Sequence, residues 1–153
     1  MNDGQPPLDK LSIIIYSGYY DKIHYALVMA AAAAAIGRPV TLFFTMGACH
    51  ALKPSDSNGS PAWRVLSLSE EHNSDIAAFG GDRDDHYATQ NVATFDDLLQ
   101  SCIQLGVTFM VCEMGLEAEG LREVTLRADI PFQKGGVVTF LNDTSKDGTV
   151  IFI

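Results

Sequence analysis

Two short apolar runs, separated by a segment of helix length, constrain this chain more than any other feature. Leu11-Ser12-Ile13-Ile14-Ile15-Tyr16 is rich in β-branched residues and is closed by Ser17-Gly18. A run of that kind bounded by turn residues predicts a buried strand. Asp21 then stands where a helix cap would, and the helical segment runs to about Ile36, stopping at Gly37 with Pro39 beyond. Its alanines at 30–35 suit close packing against a neighbouring element. Val40-Thr41-Leu42-Phe43-Phe44-Thr45 is the second strand. Strand, helix and strand joined by short connections form a βαβ unit, which implies a parallel sheet.

The pattern continues downstream. Thr94 opens a helix with acids at Asp96 and Asp97 in its first turn, and Phe95, Leu98, Leu99, Cys102 and Leu105 recur at helical spacing up to Gly106. Residues 107–112 (Val-Thr-Phe-Met-Val-Cys) form a third strand, and the segment from Glu113 to Gly120 turns into a short helix. Residues 137–141 fit strand or helix on periodicity alone, and 149–153 read as a final strand. Residues 53–61 are a turn-rich loop, and 62–91 form a long excursion, polar and acidic from Ser69 to Asn91, with one helical turn near 75–79. A solvated surface loop is the ordinary reading of that excursion; a lid or an interface is the alternative. Residues 1–10 read as a flexible leader, and 11–153 as a single domain.

Composition narrows the class. Of 153 residues, 47% are hydrophobic and 19% charged, which excludes a mainly disordered chain. So apolar a composition also leads us to expect some surface hidden in an oligomer. Ten Lys and Arg against nineteen Asp and Glu give a net charge of −9, which argues against direct nucleic-acid binding or an anionic membrane partner. The longest weakly polar run, 25–37, is shorter than the roughly 20 residues a spanning helix needs, so no membrane span is expected. The N-terminus lacks a basic segment before an apolar stretch and does not read as a secretory signal. Three cysteines, an odd number, favour free thiols in a reducing compartment, hence a cytoplasmic protein.

Cysteine is where chemistry is expected. Ligands of parallel α/β sheets bind at the carboxyl ends of the strands. Cys112 ends the third strand just before a helix start, and Cys49 follows the second strand by a few residues. Both thiols should therefore share one edge, where a helix start makes thiolate available. A buried structural cysteine is the common alternative for either position. Cys102 lies on an apolar helix face and reads as a core thiol. His50 adjoins Cys49 and is a candidate to activate it, whereas His24, His72 and His86 are isolated and read as surface histidines. No Cys-x-x-Cys or His-x-x-x-His spacing supports a metal, and no Gly-x-Gly-x-x-Gly, phosphate-binding loop or Gly-x-Ser-x-Gly elbow appears. No metal or cofactor is expected.

Taken together, these segments resemble the DsrE/DsrF-like sulfur-relay family, including its TusD-like members. Residues 11–18 resemble its opening strand and loop, and 40–44 its Phe-rich second strand. Leu105-Gly106-Val107-Thr108-Phe109-Met110-Val111-Cys112, with Gly120-Leu121 downstream, resembles the segment ending in the family's sulfur-carrying cysteine. Gly135-Gly136-Val137-Val138-Thr139-Phe140-Leu141, followed by 147–153, resembles the closing helix and last strand, so the resemblance places 137–144 in a helix. It implies a three-layer α/β/α sandwich with a mostly parallel sheet of about five strands. It also implies that Cys112 accepts sulfane sulfur as a persulfide and passes it to a partner carrier. Cys49 would then be a second or resolving thiol, and donor carriers, acceptor carriers and further copies of the chain would be the partners. Glu113 departs from the family pattern beside the cysteine, and would oppose a thiolate if it pointed inward. Arg122 and Lys134 are downstream cations available to assist. Two other readings stay open: a non-catalytic oligomeric binding subunit of the same fold, and a redox protein using Cys49 and Cys112 as a pair.

Overall fold

The computed structural model describes residues 9–69 and 77–153. Five strands, β1 (Leu11–Ile15), β2 (Val40–Phe44), β3 (Thr108–Cys112), β4 (Phe132–Gly135) and β5 (Thr149–Phe152), form one parallel sheet in the order β4-β3-β2-β1-β5. Helices α1 (Tyr20–Ala35), α2 (Gly80–Thr89), α3 (Phe95–Gln104) and α4 (Glu113–Ala118) lie along the path from β1 to β4, and α5 (Val137–Asp143) lies on the return to β5. The chain steps in one direction from β1 to β4, then recrosses the sheet to reach β5. Right-handed crossovers therefore put α1 to α4 on one face and α5 on the other.

Burial records both faces. Ile13, Ile15, Leu42, Phe44, Phe109 and Val111 project to the first face, into the main core with α1, α3 and α4. The alternate residues Phe43, Met110 and Cys112 project to the second face and meet Phe140 of α5. The first layer is thick: α1 buries Ala26, Leu27, Ala30 and Ala33, whose small side chains let α3 approach until the Cys102 thiol lies 3.7 Å from the Leu27 carbonyl. The second layer is thin, since α5 has seven residues and buries only Phe140.

Several local expectations are corrected. Residues 80–89, read as part of a polar loop, form α2. It has no leucine stripe because it packs through Gly80, Gly81 and Asp84. A Cβ at Gly80 would fall 2.7 Å from the Trp63 carbonyl oxygen. Asp84 is buried because it accepts hydrogen bonds from Tyr20 (2.6 Å) and the Phe95 N–H (2.7 Å). The expected turn near 75–79 falls partly outside the described residues; Ser67 and Phe79 pair there as an antiparallel bridge. Asp21 is not the cap of α1. Tyr19 holds that position, and Asp21 accepts from the Ser69 backbone and hydroxyl, tying the 60s segment to the helix. Of the leader, 1–8 lie outside the described residues. Lys10 is fastened, its ammonium 2.6 Å from Asp143. His24 is buried, 4% exposed, among Tyr20 and Tyr87, with Nε2–H donating to the Ala93 carbonyl at 2.8 Å. His72 lies outside the described residues.

Candidate functional site

The topology marks one crevice. β3 is followed by α4 on the first face and its neighbour β4 by α5 on the second, so the chain diverges between these two strands. Such a switch point at the carboxyl ends is where open α/β sheets bind ligands. Cys112 and Gly135 are paired in register there, as the last residues of β3 and β4.

Cys112 also caps α4. Its backbone is extended, and its sulfur accepts the Gly115 N–H at 3.3 Å. A donor aimed at sulfur steadies negative charge on it. Gly115 is required for this contact. A Cβ there would lie 2.6 Å from the Met46 nitrogen and 2.8 Å from the Thr45 hydroxyl oxygen, so only glycine lets the first turn of α4 rest against the end of β2. The thiol is 0% exposed, in a buried cluster with Phe43, Met110 and Phe140, against which Ile14 packs. Glu113 points outward and is exposed, which removes the expected conflict with a thiolate. It lines a polar hollow of about 270 Å³ with Glu117, Glu123, Arg122 and Lys134, which is where the two candidate cations lie. Arg122 is engaged with Glu117 at 3.5 Å.

Cys49 is buried in a 3₁₀ helix, Met46–Leu52, that packs on α4. Burial, then the neighbouring Cys112 and Glu119, pushes its thiol up to about 12, so it is protonated at neutral pH. The two candidate thiols thus sit close enough to feel each other's charge, without a disulfide. Cys102 is elsewhere, between α3 and α1, and burial pushes it up to about 12 as well.

His50 does not turn toward Cys49. Its Nε2–H donates to Glu119 Oε2 at 3.0 Å, both side chains being about one-third exposed. This pair lies at the wall of a cleft of about 610 Å³ between the loop after β1 and the 3₁₀ helix, lined also by Tyr16, Gly18, Tyr19 and Gly47. Met46 holds a left-handed backbone, φ 47°, at its edge, and Gly18 and Gly47 approach so closely that a Cβ on Gly18 would stand 3.1 Å from the Gly47 oxygen. Sequence reasoning missed Glu119, Gly135 and Phe140 as parts of this edge. A glycine at a strand end was a usable signal for Gly135, whereas Phe140 and Glu119 arrive only through tertiary packing. Among the described residues, no three His, Cys, Asp or Glu side chains gather to hold a metal ion, and no helix is long and apolar enough to cross a membrane.

A five-stranded parallel α/β sandwich with a cysteine at its switch point is the class of protein that these observations define. The chain belongs to the DsrE/DsrF-like family, whose model matches residues 9–152. It is similar to the uncharacterized protein YrkE of Bacillus subtilis (strain 168), with 26% identity over 156 residues, covering 94% of this chain and 96% of that one. Its fold is similar to the crystal structure of the ychN protein from E. coli, with a TM-score of 0.57 and 13% identity, covering 95% of this chain and 100% of that one.

Proposed function

We propose that this protein is a sulfur carrier that holds sulfane sulfur as a persulfide on Cys112. The observation that carries this reading is the position of that sulfur, at the switch point of the sheet with the Gly115 N–H directed at it. Family membership supports a role related to sulfur relay. The Cys112 thiolate attacks the outer sulfur of a donor persulfide. The new bond is Cys112 S–S, the donor's S–S bond breaks, and the donor leaves as its thiolate. With thiosulfate the same attack releases sulfite. In either case one sulfur moves with no net electron transfer, and an acceptor thiolate repeats the step to unload it.

Cys49, protonated at neutral pH, is not the first nucleophile; it serves as a second thiol beside Cys112, donating to the Cys112 thiolate that leaves when an acceptor takes the outer sulfur. Donor and acceptor carriers are the partners, together with further copies of the chain. Val138 (73% exposed), Leu141, Val150 and Phe152 leave the thin face of the sheet apolar and open to such contacts. Three free thiols fit a reducing, cytoplasmic setting.

One observation favours a second reading, a non-catalytic binding subunit of the same fold: Cys112 is completely buried. Intact-mass measurement after incubation with thiosulfate, or with a cysteine desulfurase and cysteine, separates the two. The carrier gains one sulfur on the peptide holding Cys112, and reductant removes it. If Cys112→Ser loads as well as the parent, the assignment is wrong.

A further inference from the structure

A fully enclosed thiol cannot meet a donor, so any chemistry at Cys112 requires part of its enclosure to move. Three of the four members of its buried cluster, Phe43, Met110 and Cys112 itself, belong to the central strands β2 and β3. The fourth is Phe140, on α5. We propose that α5 is a hinged lid over Cys112, keyed by Phe140, latched at Asp143 and pivoting at Gly135–Gly136. The proposal rests on the sulfur-carrier reading for its purpose; the motion itself is testable without it.

Each part of the device is visible. Phe140 stacks on Phe43 with ring centroids 4.8 Å apart, and it is the only buried side chain of α5. By contrast α1 is anchored by Tyr20, Ile23, Ala26, Leu27 and others on one continuous core face. An element held by a single buried side chain opens at far lower cost than the sheet beneath it. Val137, Val138 and Leu141 are exposed, so Phe140 is the one fully buried apolar side chain that holds the helix down.

The far end is fixed by polar contacts instead. Asp143 Oδ2 accepts from Lys10 Nζ at 2.6 Å and from the Thr41 hydroxyl at 2.7 Å, and Lys10 also donates to the Asp143 carbonyl at 2.9 Å. Lys10 precedes β1 and Thr41 is buried within β2, so the latch spans two strands of the sheet.

The near end is Gly135–Gly136, the register partner of Cys112 and the residue after it. A Cβ on Gly135 would press Thr139 at 3.0 Å, whereas one on Gly136 would meet nothing within 4 Å. Two consecutive glycines let the backbone turn without steric resistance. Swinging α5 about this pair lifts Phe140 off Phe43 and uncovers the sulfur. Closing it again shields a bound persulfide from water and from stray reductant.

The test is the alkylation rate of each cysteine in the full chain, followed by peptide mapping with iodoacetamide. Cys102, buried in the other layer, is the internal control. Asp143→Ala should raise the rate at Cys112 about tenfold, the scale of losing a charge-assisted hydrogen bond, and leave Cys102 unchanged. Gly136→Ala fits the closed form and stiffens the pivot, so it should slow labelling of Cys112 several-fold. Equal acceleration of Cys112 and Cys102, or no response at Cys112 to either variant, would overturn the lid. Sulfur loading of the same variants tells the two proposals apart. Labelling that follows the latch without any sulfur uptake keeps the lid and removes the carrier reading. Sulfur uptake at a rate indifferent to both variants does the reverse.

Discussion

Cys112 and Gly135 end adjacent strands as register partners, and from that point the chain leaves toward opposite faces of the sheet. The thiol therefore sits between two helices with different constraints. α4 supplies a hydrogen bond to its sulfur and is wedged against β2. α5 supplies a hydrophobic cover and is only lightly attached.

The wedge predicts a severe effect from the smallest substitution. Gly115→Ala places a methyl group 2.6 Å from the Met46 nitrogen, a backbone atom that cannot step aside. Relief requires α4 to shift, which costs about 1–3 kcal/mol by the scale of overpacked sites. We expect a lower denaturation midpoint with an unchanged slope. Gly136→Ala, with open space around its Cβ, should stay within about 0.5 kcal/mol of the parent. Equal midpoints for the two variants would show that the close approach at Gly115 is not a real constraint.

Buried polar chemistry around Tyr20 yields the second prediction. Its hydroxyl donates to Asp84, which also accepts the Phe95 N–H, and burial pushes the hydroxyl's ionisation far upward. Tyr20→Phe keeps the ring stacked near Trp63 and Phe95 but leaves a buried carboxylate one donor short. The expected cost is about 1–3 kcal/mol, read from urea unfolding. A neutral result would mean that Asp84 recruits another donor.

The same cluster shows why part of the fold was legible in the sequence and part was not. β1, β2, β3 and α3 bury ordinary apolar side chains at the period of their element, and pattern alone locates them. α2 buries two glycines and an aspartate, so its core face reads as solvent-exposed. β4 is an edge strand in which Gln133 and Lys134 are exposed, and four residues of that kind carry no alternation. The site divides the same way. Cys112 announces itself by ending a strand, and Cys49 by following one closely. Phe140 reaches the thiol's cluster only through a chain reversal across the sheet, and Glu119 reaches His50 only through the packing of α4 on the 3₁₀ helix; no local window contains either.

His24 predicts a pH dependence of stability. Burial lowers its folded-state ionisation below the ordinary value of 6.5, although the Ala93 carbonyl and Asp84 pull the other way. Between those two values the unfolded chain binds a proton that the folded one does not. Stability is therefore full above about pH 6.5 and declines as pH falls through 6.5 toward the folded value. Denaturation midpoints at pH 7.5 and 5.5 should show this loss in the parent protein and a smaller one in His24→Gln, which has no proton to gain. An equal loss in both proteins would place the acid sensitivity elsewhere.

Cys49 and Cys112 make the sharpest test of which thiol starts the chemistry. With its ionisation pushed up to about 12, Cys49 is a thiolate in only about one molecule in 10⁴–10⁵ near pH 7.5. Nucleophilic attack needs the thiolate, so that population is too small to compete with a sulfur that already accepts a backbone N–H. Cys49→Ala should load sulfur from thiosulfate at a rate within about twofold of the parent, while Cys112→Ser should not load. The defect of Cys49→Ala should appear in unloading, as slower transfer to an added thiol acceptor, because the neighbouring protonated thiol that would donate to the departing Cys112 thiolate is gone. Truncating a buried cysteine to alanine removes only one heavy atom, so the variant should melt cooperatively, which separates a chemical effect from a folding one. If Cys49→Ala melts normally yet loses loading while Cys112→Ser retains it, the first nucleophile is Cys49, and the crevice between β3 and β4 is not where sulfur enters.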